Sequence, residues 1–134
     1  MTLKERFLKY VAINTRSDEN SESFPSTAVQ WDLLKALVEE MKLLGLEDVT
    51  IDKYGYAMGT IPATKGKENA PVIGFLAHVD TAPDMSGENV RPRIIESYDG
   101  EDIVLNNTLT MKVADFPELK RFIGPHRRHN AAWR

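Results

Sequence analysis

The chain has 134 residues, of which 42% are hydrophobic and 28% charged, with a net charge of -3 at pH 7. That length can bury roughly two-thirds of its unfolded surface, and the composition is that of an ordinary globular protein. A slightly negative charge and an isoelectric point near 5.6 supply no clustered positive field, so neither nucleic acid nor an anionic membrane is expected as a partner. Cysteine is absent, which excludes disulfide scaffolds, thiolate metal sites and cysteine nucleophiles and leaves His and carboxylate as the only strong metal ligands.

Charges at Lys4, Glu5, Arg6 and Lys9 interrupt the N-terminal stretch where a signal peptide would be apolar. No run approaches the ~20 apolar residues of a membrane span. A cytoplasmic location is the expectation.

Thr2 and Glu5 have the spacing of a capping box, and Leu3, Phe7, Leu8 and Val11 follow at helical intervals, so a short first helix with one apolar face is predicted. The polar stretch from Thr15 to Ser26 reads as loop. A second capping box, Thr27 with Gln30, opens a helix predicted over 27–44, with Leu34, Leu37, Val38, Met41 and Leu44 on one stripe and Gly45 placed to end it. Val49 and Ile51, then Tyr56, Met58 and Ile61, flank Tyr54-Gly55 as a strand pair. After a polar connection, Val72 to Ala77 is a continuous apolar run of the kind buried on both faces of an α/β sheet. The predicted long helix is expected to pack against a sheet containing it. Ile94-Ile95 and Ile103 to Leu105 predict two further strands. The fold class expected is α/β, with helices packed on a mixed, mainly parallel sheet.

That apolar run breaks at His78, with Asp80 two residues on. Sites in open α/β sheets form at the carboxyl ends of strands, and residues i and i+2 project to the same side. The Asp80 carboxylate would then fix the His78 ring and support it as a metal ligand. A core histidine paired with a capping aspartate is the commoner meaning of so short a motif. Six residues separate Gly59 from Gly66, and Glu68 follows Lys67, so the glycine- and lysine-containing stretch there is not a phosphate-binding loop. Nucleophile-elbow and His-Glu-x-x-His signatures are also absent from the sequence. Near the end, His126 and His129 could share a helical face and bind a metal. A basic terminal tail is the plainer reading, since Arg127 and Arg128 would repel a bound cation.

Five stretches carry a resemblance: TLKERFLKYVAINTRSDENS, PST at 25 to 27, GLEDVTIDKYGYAMGTIPAT, GFLAHVDTAPDMSGENVRP and YDGEDIVLN. Together they resemble the N-terminal part of the peptidase T family, tripeptide aminopeptidases of the dinuclear zinc aminopeptidase and aminoacylase superfamily. The resemblance runs from residue 2 to about 105 and returns in DFPELKRFIG, residues 115 to 124. It implies that residues 1–124 are the N-terminal portion of a zinc-exopeptidase catalytic domain, with residues 125–134 a divergent tail. It further implies two zinc ions, with His78 a ligand of one and Asp80 assisting catalysis, and a tripeptide as substrate. The family's later motifs, a bridging aspartate, a Glu-Glu pair, a further acidic ligand and a distant histidine, have no counterpart in PHRRHNAAWR. Zinc needs about four ligands and one is inherited here. The expectation is a catalytically incomplete chain prone to self-association. The alternative is a non-catalytic interaction module or inactive fragment.

Overall fold

The computed structural model describes residues 1–125. They form two compact units, a terminal one built from Met1–Ala12 and the described residues from Val90 onward, and a central one, Ile13–Asn89. Secondary structure is mixed, and every described sheet is two-stranded and antiparallel.

The terminal unit begins with α1 (Leu3–Val11). Its N-terminal N–H groups are satisfied as the sequence predicts: Glu5 N–H donates to Thr2 Oγ1 at 3.2 Å and Thr2 N–H donates to Glu5 Oε2 at 2.7 Å. The predicted apolar face is only partly covered, because Val11 is buried while Leu3 and Phe7 face solvent. Further on, β3 (Ser97–Tyr98), β4 (Ile103–Val104), β5 (Thr110–Met111), a 3-10 turn over Pro117–Phe122 and β6 (Gly124–Pro125) surround a small core. Tyr98, Ile103 and Leu119 form that core, with Ile95 and Met111 packed against it. The predicted strand at Ile94-Ile95 is displaced to Ser97–Tyr98, where the register with Pro125 and Gly124 supplies partners.

In the central unit, α2 spans Gln30–Leu43 rather than starting at Thr27. Thr27 is tied instead to the preceding loop, its hydroxyl donating to the Arg16 carbonyl at 2.7 Å, and no side chain caps the first turn of α2. The C-terminus follows the prediction. Gly45 takes φ of +80°, its N–H donates to Lys42 O, and Leu46 N–H donates to Met41 O, which together satisfy the last carbonyls. Leu33, Leu34 and Val38 are buried, and α2 packs on β1 (Glu47–Ile51) and β2 (Ala57–Thr60).

These two strands make the expected hairpin, with Thr50 opposite Met58 and Ile51 opposite Ala57. Asp52 closes the turn, its Oδ1 accepting from the N–H groups of Tyr54 and Tyr56 at 2.9 Å each. Gly55 has φ of +87°, and a Cβ there would lie 2.7 Å from Pro25 Cγ. Only glycine fits both demands.

The largest departure from the sequence-based expectation is at residues 71–80. They form no strand, and Val72, Phe75 and Leu76 are 94% or more exposed. The long helix therefore packs on the β1–β2 hairpin and not on a sheet containing Val72 to Ala77. The mixed helix-and-strand composition agrees with the expected class, but among the described residues no mainly parallel sheet is present, and parallel pairing there is confined to the isolated bridges Arg16 with Thr81 and Tyr98 with Ile123. The physical reason is that a strand buried on both faces needs a neighbour for its N–H and C=O groups and a cover on each face. Among the described residues none supplies them.

Candidate active site

Residues 78–84 owe their position to two long-range attachments. Thr81 N–H donates to the Thr15 carbonyl at 3.0 Å, and Ser17 N–H donates back to the Thr81 carbonyl at 2.9 Å. Ser17 Oγ reaches the same carbonyl at 2.9 Å. Beside them Arg16 donates Nε to the Pro83 carbonyl at 2.8 Å, with Nη2 also on that oxygen. The strap is itself anchored, since Arg16 O accepts from Thr27 Oγ1 and Thr27 Oγ1 accepts from Gln30 Nε2 at 3.1 Å. Gln30, at the first turn of α2, is 5% exposed and thus fixed by packing. An unbroken hydrogen-bonded route leads from α2 to the segment just after His78 and Asp80.

The structure brings the two predicted site residues together. His78 Nδ1 lies 3.0 Å from Asp80 Oδ1, with the imidazole side chain 84% and the carboxylate 43% exposed. Where the carboxylate is ionised it can only accept, so the ring donates from Nδ1, and a neutral ring then carries its lone pair on Nε2. His78 is therefore not a core histidine. A carboxylate at this distance from an exposed imidazole is able to orient the ring.

It goes no further towards a metal centre. No group of three or more His, Asp or Glu able to hold a metal occurs among the described residues, and zinc takes three or four protein ligands. The residues described thus fit one coordination position and not a zinc site. His126 and His129, the other candidates, lie outside the described residues.

A cleft of about 790 Å³ opens beside the strap, lined among others by Asn14, Arg16, Asp18, Asp84 and Glu88. Neither His78 nor Asp80 lines it. Sequence reasoning missed Thr15, Arg16 and Ser17, which read as a polar loop. Nothing local marks them, because the Arg16 partner is 67 residues away.

No family model matches the chain. Peptidase T of Geobacillus kaustophilus (strain HTA426) is 56% identical over 124 residues, which is 91% of this chain and 30% of that protein. Peptidase T of Alkaliphilus oremlandii (strain OhILAs) is 54% identical over 123 residues, 90% of this chain and 30% of that protein. Peptidase T of Geobacillus sp. (strain WCH70) is 55% identical over 122 residues, with the same two shares. The chain spans about 30% of the length of these curated relatives. With the resemblance carried in order from residue 2 onward, the chain corresponds to the N-terminal part of peptidase T.

Proposed function

We propose that this chain is the N-terminal portion of a zinc-dependent aminopeptidase that releases the first residue of tripeptides, with His78 a zinc ligand and Asp80 its supporting catalytic residue. The observation that carries the reading is the 3.0 Å His78–Asp80 contact on an exposed imidazole. A carboxylate that fixes the tautomer with the lone pair on Nε2 does for the ring what a metal ligand requires. The 49–56% identity to proteins named peptidase T supports the reaction class. A mainly parallel sheet completed only in a chain of the relatives' full length, and a cytoplasmic location, belong to the same proposal.

Bound metal in such a site would supply Lewis acidity. This chain's own contribution is narrower: Asp80 holds the proton on His78 Nδ1, and the Thr15–Ser17 strap holds the backbone that follows Asp80. The 134-residue chain is expected to bind zinc no more tightly than an exposed histidine does and to leave tripeptides intact, with His78→Ala changing neither. In a chain of the relatives' full length, His78→Ala should abolish metal binding and tripeptide hydrolysis. Asp80→Ala there should lower activity or metal affinity roughly 10–100-fold with the fold retained. Zinc titration and tripeptide hydrolysis on both lengths test this. Full activity of the long His78→Ala variant would remove the assignment, and tight stoichiometric zinc binding by the 134-residue chain would overturn the one-ligand reading.

A further inference from the structure

The segment that carries the site pair is gripped on its C-terminal side by three consecutive residues. Thr15 and Ser17 pair their backbones with Thr81, the neighbour of Asp80, and between them Arg16 sends Nε to the Pro83 carbonyl at 2.8 Å, with Nη2 on the same oxygen. We infer that Arg16 is a positioning residue for the proposed hydrolysis: its side chain fixes the direction in which the chain leaves Asp80, and through that direction it sets the Asp80 carboxylate against the His78 ring. Its effect on turnover rests on the zinc peptidase reading; its effect on the pair does not.

A segment held at Thr81 alone can still swing about that point, and a second grip on the far side of Ala82 removes the freedom. The Thr81 grip uses backbone groups that any residues at 15 and 17 would supply, with Ser17 Oγ in addition. The Pro83 grip is made by the guanidinium alone. Its planar donors are pre-organised, so little freedom is lost when two of them meet one carbonyl, which a lysine ammonium on its flexible stem does not reproduce.

The base of the Arg16 side chain is fixed as well. Arg16 N–H donates to Asn14 Oδ1 at 3.1 Å, and its carbonyl accepts from Thr27 Oγ1. The loop after Pro83 closes on that same Asn14 oxygen, since a Cβ added at the buried Gly87 would lie 2.4 Å from it. The fork is taken up by a neutral carbonyl although Asp18, Asp84 and Glu88 line the same cleft, so what it supplies is direction and not charge neutralisation. Every partner of the grip lies within the central unit.

The test has two arms. In the 134-residue chain, nitrogen NMR of the His78 ring, at a pH where the imidazole is neutral, should find the ring proton on Nδ1 in the unaltered chain and mainly on Nε2 in Arg16→Ala. In a chain of the relatives' full length, Arg16→Ala should lower kcat for tripeptide hydrolysis roughly 10–100-fold with KM and zinc content unchanged. Because Arg16 acts through Asp80, adding the change to Asp80→Ala should bring no further loss, where independent effects would multiply. Arg16→Lys, which keeps the charge and the stem but not the fork, should show a smaller loss in the same cycle, and it replaces Arg16→Ala if circular dichroism finds that variant unfolded. A ring proton that stays on Nδ1 in Arg16→Ala, or that already lies on Nε2 in the unaltered chain, would overturn the proposal. So would an unchanged kcat, a loss that falls on KM, or losses that multiply in the double variant. Retained hydrolysis in His78→Ala would remove the zinc reading instead and leave the ring proton to decide on Arg16.

Discussion

Two apolar stretches of the central unit meet opposite fates. Leu33, Leu34 and Val38 on α2 are buried beside the β1–β2 hairpin, whereas Val72 to Leu76, at least as apolar, stand in solvent. The helix supplies its own backbone hydrogen bonds and needs cover on one stripe only, which a hairpin beginning four residues after its end provides. The apolar strand needs partners at both edges and cover on both faces. Apolarity thus makes a segment ready for burial, and the supply of neighbours decides whether burial happens.

That contrast is sharpest in paired truncations. Leu34→Ala is expected to destabilise the central unit by about 2–5 kcal/mol, while Leu76→Ala should change stability by no more than about 0.5 kcal/mol, both read from urea unfolding. Equal effects would break the comparison. Gly55→Ala comes next, with a loss expected to exceed about 1 kcal/mol, because the added Cβ meets Pro25 and the φ of +87° disfavours any side chain. Thr2→Ala should cost about 1 kcal/mol of α1 stability, seen as faster amide exchange in its first turn.

The smallest effects are those of pH. The Thr2 backbone N–H, and then its hydroxyl, hold the Glu5 carboxyl below its ordinary value. The charged form is favoured in the folded state, so the contribution is fully present above the ordinary carboxylate range and is lost as pH falls through the lowered folded value. Tyr98 works in the other sense. Burial, followed by the charges of Asp99, Asp102 and Glu101, pushes its phenol upward, so the stability it lends is complete below pH 10 and declines as pH rises through the raised folded value. Amide exchange of α1 against acid and unfolding midpoints against alkali measure the two slopes.

What could be read from the sequence was what neighbouring residues decide. The Thr2–Glu5 box, the Gly45 terminus and the turn at Tyr54-Gly55 each depend on a few adjacent residues, and the structure contains all three. His78 and Asp80 meet as residues two apart, although the strand whose carboxyl end was expected to place them is not formed. The start of α2 was misjudged because Thr27 answers to Arg16, 11 residues away. Residues 72–77 have a strand's composition, but pairing is a property of two segments, and no composition reveals whether the second is at hand. The site was legible as a pair of residues and not as a coordination sphere.

The Arg16–Pro83 clasp joins residues 67 apart in the chain, and it sets a sequence of events in time. A hairpin such as β1–β2 forms within about 1–10 μs, since its turn spans few residues. Closing the longer loop carries an entropic cost that grows with the logarithm of its length, about 0.6 kcal/mol for each doubling, and is met only when α2 already holds Gln30 and Thr27 in place. The backbone around Asp80 is therefore expected to be captured late and released early, which amide exchange of Thr81 against that of α2 would read. The segment that carries His78 and Asp80 is thus held by the hydrogen bond of greatest sequence separation described in its unit.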